Sequence, residues 1–305
     1  MASHVSLLLI LLIALGANNV KASLINSTKS GDGKNWFSTN SMLPIELNLD
    51  ETVTDKYIFR FEGYLHAKFT NLKISLQSED PSKSTPFHIR IDNGFKGTIN
   101  SVKDGAWQHE EYFSHFYEGG DKFFIHVRCQ EQHIEIYLNY VITYRFQQGY
   151  HKLDKIKRIE VLGDAMMDRI DWGGFDFSVP CSLTYPPLQG RVVITGKSNY
   201  KFGFHLINPT FDKPFYFEVR YSSSQVIANS MMSGDWVSEE RASVSFPFLK
   251  DHFFEIVLNI EPDVIVIEHN GKFLMEFKHR IEDPATEYIG VFVKEMGSLW
   301  NVFWN

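Results

Sequence analysis

Asn229, Trp236, Glu239 and Arg241 stand close together, and Asn100, Trp107 and Glu110 repeat the first three at the same spacing. An indole ring offers a flat apolar surface, an asparagine amide both donates and accepts, and a carboxylate accepts from two neighbouring hydroxyls. A pyranose uses all three at once, because its C–H face lies on an aromatic ring while its hydroxyls need fixed polar partners at the rim. Arg241 follows Glu239 by two positions, on the same side of an extended strand, where it can hold the carboxylate. In the first copy Tyr112 stands in that place. A structural reading of the same residues is a tryptophan anchored in a core and the pairs Glu110-Glu111 and Glu239-Glu240 on solvated strand edges. On residue types alone, both readings stand.

The echo runs well beyond these residues. Asn100-Ser101, Gly105 and Trp107 recur as Asn229-Ser230, Gly234 and Trp236; Gly63 with Phe69 recurs as Gly196 with Phe202. Phe123-Phe124 matches Phe253-Phe254, and Asn139 with Phe146 matches Asn270 with Phe277. A long-period echo means two copies of one structural unit. The segments 57–61, 87–91, 134–138, 215–220 and 264–267 alternate apolar and polar residues, the strand period. No long amphipathic helix is expected, so the units are all-β sandwiches. The expected layout is a leader over 1–22, a polar tail over 23–41, a first domain over 42–177, a joint over 178–187 and a second domain over 188–305. Prolines in the joint predict extended backbone without ladder hydrogen bonds.

The chain has 305 residues, 44% of them hydrophobic and 15% aromatic, enough for two cored domains. A net charge of -7 with mixed signs argues against nucleic acid or an anionic membrane surface as main partner. The aliphatic block from Leu7 to Leu15 is too short to span a bilayer, and Ala22 suits signal cleavage before Ser23. Asn26-Ser27-Thr28 is an N-glycosylation acceptor, so Asn26 is expected to carry glycan and the chain to be secreted to the extracellular space. The two cysteines, Cys129 and Cys181, either bridge in that oxidising compartment or serve as small buried hydrophobes. A glycosidase needs two carboxylates facing one bond, whereas neighbours on a strand point to opposite faces. With no triad order, phosphate loop or metal spacing either, neither an enzyme nor a cofactor is expected.

Asn229-Ser230, Trp236, Glu239-Glu240-Arg241 and Phe246-Pro247-Phe248 together resemble the galectin carbohydrate-recognition domain. So does His269-Asn270-Gly271-Lys272-Phe273 running on to Phe277-Lys278-His279-Arg280, where His279 is read as structural. The resemblance covers nearly all of the second repeat and reaches the first through Asn100, Gly105, Trp107 and Glu110. It implies two tandem galectin-type jelly-roll β-sandwiches binding β-galactoside-type glycans of glycoproteins or glycolipids, with glycan crosslinking and no catalysis. The family's His-x-Asn-Pro-Arg would fall on Glu218, Arg220 and Ser222, and none matches. The corresponding face in the first repeat carries His88, Arg90 and Asp92. The glycine that follows the family's tryptophan is replaced by Gln108 and Val237, and most galectins lack a signal peptide. These departures predict weak or altered lactose affinity, with the second repeat the stronger binder. They also leave a rival, a lectin-fold protein-interaction module that has lost sugar binding.

Overall fold

The computed structural model describes residues 28–29, 35–147, 152–173, 179–184, 190–210 and 212–304. The leader and Asn26 lie outside the described residues. Each repeat is a sandwich of two antiparallel sheets, one bearing the candidate groove and the other forming the back. In the first repeat the groove sheet runs Ile45–Asn48, Arg158–Gly163, Asn71–Gln77, Ser84–Asp92, Lys96–Lys103 and Ala106–Trp107. Its back sheet is built on Ala165–Gly173, Ile58–Leu65, Lys122–Cys129, His133–Leu138 and Val141–Gln147. The second repeat places Gly290–Glu295, Phe202–Ile207, Lys213–Arg220 and Gln225–Met232 in its groove sheet. Val264–His269, Phe253–Ile260, Gly190–Lys197 and Ser298–Trp304 lie in its back sheet.

Period-2 alternation fills each core. Phe87, Ile89 and Ile91 point inward between His88, Arg90 and Asp92, and Phe215, Phe217 and Val219 do the same beside Tyr216, Glu218 and Arg220. Cys129 is buried in the first core and both cysteines are free thiols, so the bridge reading gives way to the small-hydrophobe one.

Two expectations about the connecting stretches change. Asn35–Met42, whose residues up to Ser41 are expected in the polar tail, is a strand against Ala165–Gly173. In the proline-bounded joint, Cys181–Thr184 pairs with Gly290–Glu295 and starts the second sandwich. The prolines flank this strand without entering it, so no ladder donor is lost.

The outward faces of the two back sheets are buried against each other. Arg60 and His126 point away from the first core yet are 4% and 0% exposed, and Glu255 points away from the second at 0%. Arg60 donates from Nη2 to Glu255 Oε1 at 2.7 Å and from Nη1 to Asp171 Oδ2 at 2.8 Å. Arg169 also donates to Asp171, Arg191 of the second repeat reaches Glu62 of the first at 3.3 Å, and His126 accepts from Arg60 Nε at 3.2 Å. Burial alone would raise the Glu255 carboxyl pKa, but the Arg60 charge, the His126 hydrogen bond and Arg191 together outweigh it and hold the group well below the usual carboxylate range. Burial lowers the His126 pKa, which favours its neutral form.

An aromatic cluster surrounds the charges. Phe253 stacks on Trp300 at 5.1 Å and meets Tyr137 at 5.0 Å across the boundary, while the Arg128 guanidinium lies 3.7 Å from the Trp300 ring centre. Equivalent two-residue turns also meet there: Asn139-Tyr140 with φ 43° and 69°, and Asn270-Gly271 with φ 49° and 70°. Asparagine and glycine adopt this left-handed geometry readily, but tyrosine does so only under strain. Tyr140 Oη donates to Glu255 at 3.1 Å, so the strained turn gains a partner in the other sandwich.

Breaking this cluster leaves an uncompensated buried charge. Glu255→Ala is expected to cost about 3–5 kcal/mol in urea unfolding. The double change Arg60→Met with Glu255→Ala should cost clearly less than the sum of the two single changes.

Candidate functional site

Each groove is built on the strand pair at the end of its sheet. Pro86 and Pro214 lack the N–H a ladder needs, and in both repeats the pairing shifts at that point, between Thr85 and His88 and between Lys213 and Tyr216. Beyond the shift, His88 pairs with Asn100 and Tyr216 pairs with Asn229. The two grooves therefore align as His88 with Tyr216, Arg90 with Glu218 and Asp92 with Arg220. Ser222 leaves the groove face, because its strand ends at Arg220 and Ser222 lies in the following turn.

The tryptophans are presented by tight hairpins. Asp104-Gly105 has φ 52° and 80°, and Ser233-Gly234 has φ 52° and 90°, so each turn places glycine at a left-handed position. This is why the glycine recurs in the echo. Gln108 N donates to Ser101 O and Val237 N to Ser230 O, both at 2.9 Å, and close the hairpins. The result is an indole 58% exposed at Trp107 and 51% exposed at Trp236, so the core-anchor reading is excluded at both positions. Asn100 and Asn229 are each 8% exposed and accept through Oδ1 from the next backbone N–H at 2.8 Å. Their Nδ2 groups donate to none of the described residues.

The carboxylates beside the indoles are held by different chemistry. Arg241 Nε donates to Glu239 at 3.0 Å, and Arg220 donates to both Glu239 and Glu218. Tyr216 Oη donates to Glu218 at 2.5 Å, and its ring lies 5.0 Å from Trp236. Burial would raise the Glu218 pKa, but the tyrosine hydrogen bond and Arg220 bring it below the ordinary value. In the first groove Tyr112 Oη donates to Glu110 at 2.5 Å and thus takes the part of Arg241. Arg90 is turned to Asp92, at 3.0 Å from Nε. The second members of the acidic pairs have separate partners, Tyr144 for Glu111 and Arg280 for Glu240.

Arg280, the last residue of the Phe277-Lys278-His279-Arg280 run, ties the second site together. Its guanidinium donates to Asn229 Oδ1, Ser230 Oγ, Ser238 O and Glu240 within 2.6–3.2 Å. Its neighbour His279 bonds Tyr288 and the Glu261 carbonyl, a structural role. The first groove also opens into a cavity of about 550 Å³ that reaches Ser75, Gln77 and Glu160 beyond His88 and Trp107. Gln77 Oε1 is buried there without a partner. Alternation of Lys73, Ser75 and Gln77 with Leu72, Ile74 and Leu76 was the signal that these side chains share the groove face.

A family model described as galactoside-binding lectin matches residues 44–172 and 180–302. The 32 kDa beta-galactoside-binding lectin of Caenorhabditis elegans is 27% identical over 73% of this chain and 79% of its own length. The protein of the same name from Haemonchus contortus is 26% identical over 82% of this chain and 90% of its own length. Among solved structures, Caenorhabditis elegans galectin LEC-6 aligns with a TM-score of 0.37 and 20% identity, covering 43% of this chain and 95% of that one.

Burial, aided by the charges of Lys73 and Arg90, lowers the His88 pKa to about 4, and burial lowers His205 and His269 to about 4 as well. An unfolded histidine titrates near 6.5, so the unfolded chain binds more protons between these values and stability must fall as pH drops from about 6.5 towards 4. Each histidine is expected to contribute about 1.4 kcal/mol per pH unit in that window. Urea unfolding at several pH values should show the slope, and His269→Gln should make it shallower.

Proposed function

The chain belongs to the galactoside-binding lectin family, the galectins, and on that premise we propose that it is a secreted lectin with two sugar grooves. The family's members are lectins and not enzymes. The observation that carries the reading is the repeated hairpin: an exposed indole beside a buried asparagine with an unused Nδ2 donor and a carboxylate held by a neighbour. The pyranose C–H face lies on Trp107 or Trp236, and its hydroxyls meet Asn100 and Glu110, or Asn229 and Glu239. The ligands are galactoside-type or related glycans of glycoproteins or glycolipids.

The two grooves are not duplicates. A neutral imidazole, Arg90 and Asp92 face the first, whereas Tyr216, Glu218 and Arg220 face the second, so each satisfies a different set of hydroxyls. The first continues over Ser75, Gln77 and Glu160 and takes the longer saccharide. The leader at 1–22 and the acceptor Asn26 support secretion as a glycoprotein. Two sites in one chain support glycan crosslinking.

A glycan array on mature protein tests this reading. Trp107→Ala and Trp236→Ala should each remove a different subset of signals, and the double change should abolish binding. Full binding by the double variant would sink the platform assignment. An array blank for the unaltered protein would favour the protein-interaction module instead.

A further inference from the structure

Resting on the two-groove reading, we infer that this chain is a rigid back-to-back bridge. It joins glycans on two separate, facing surfaces and does not engage two glycans of one surface. The order of the layers carries this. His88 and Arg90 lie on the outer face of the first groove sheet, and Tyr216 and Glu218 on that of the second. Arg60, His126 and Tyr137 lie on the outer face of the first back sheet, where they meet Glu255 and Phe253 of the second. The stack is groove sheet, back sheet, back sheet, groove sheet. The grooves therefore open in opposite directions.

Sheets pack about 10 Å apart, so three gaps separate the groove sheets by roughly 30 Å. A planar surface that reaches one groove is shielded from the other by the protein itself. The junction also resists re-orientation. Turning one sandwich over would expose Phe253 and Trp300 and strand Arg60 and Glu255, groups that are buried only because the two halves meet. The connection at residues 174–180 is short, and Cys181–Thr184 is already paired within the second sandwich. In a freely jointed tandem lectin both sites could close on one surface, and avidity would rise by a factor of 10²–10⁴ with ligand density. Opposed grooves forgo that gain and keep the second site for another surface.

The test uses bilayers and vesicles bearing an N-acetyllactosamine-headed lipid. On a planar supported bilayer, apparent affinity should change less than about threefold across a tenfold range of headgroup density. The same protein should aggregate vesicles, and Trp107→Ala or Trp236→Ala should each abolish aggregation. Glu255→Gln, which loosens the junction, should acquire density-dependent avidity on the planar bilayer. Tightening of tenfold or more with density in the unaltered protein would overturn the proposal.

A second measurement is independent of sugar binding and of how Glu255→Gln folds. Spin labels at Glu79→Cys and Ser223→Cys, in a Cys181→Ser background, should give one narrow distance distribution. A broad or bimodal distribution would overturn the fixed geometry. If no form binds the lactosamine lipid and the glycan array is also blank, the groove reading fails and bridging with it, while the label distances still decide whether the junction is fixed.

Discussion

The structure depends on one buried guanidinium. Arg60 sits between two sandwiches, out of reach of water, and a charge in that position persists only with full compensation. Asp171 and Glu62 supply part of it from within the same sandwich, and Glu255 supplies the rest from the other. Neither sandwich satisfies its own outward face: Arg60 of the first donates to Glu255 of the second, and the Glu255 carboxylate takes its hydrogen bonds from Arg60 and Tyr140 of the first. The aromatic residues around them add area and exclude water, which strengthens the ion contacts. Specific pairing, more than apolar area, fixes which face meets which.

The grooves illustrate how one backbone plan accepts different side-chain solutions. The hairpin, its left-handed glycine and the closing hydrogen bond are the same in both repeats, because they are set by backbone geometry. What steadies the acidic residue has diverged, a tyrosine hydroxyl in one repeat and a guanidinium network in the other. A tyrosine steadies the carboxylate without neutralising it, whereas Arg220 and Arg241 surround theirs with positive charge. The two sites thus keep the same stacking surface and differ in the electrostatic field around it.

Much of this was legible in the chain. Alternation at 87–91 and 215–220 separated the core side from the outward side, and the paired Asn, Gly and Trp showed that one unit occurs twice, though not that these residues form hairpins. Register was harder. The position of Ser222 followed the period of the strand, but where a strand ends depends on its turn and partner. The strand at Cys181–Thr184 was hidden because its flanking prolines read as a connector, whereas pairing is decided by the donor positions between them. Least legible was the junction. Arg60 and Glu255 occupy polar positions of alternating strands, which in one isolated domain means water. Nothing local distinguishes a charge that faces solvent from one that faces another domain.

The turn at Asn139-Tyr140 carries a consequence for how the protein is dismantled. A tyrosine held in left-handed backbone by a carboxylate of the other half makes the first half incomplete by itself. Covalent continuity through residues 174–180 is then secondary to the contact. A protease that nicks this connection would leave the halves clasped, and the cut would show on a denaturing gel before any change in hydrodynamic size.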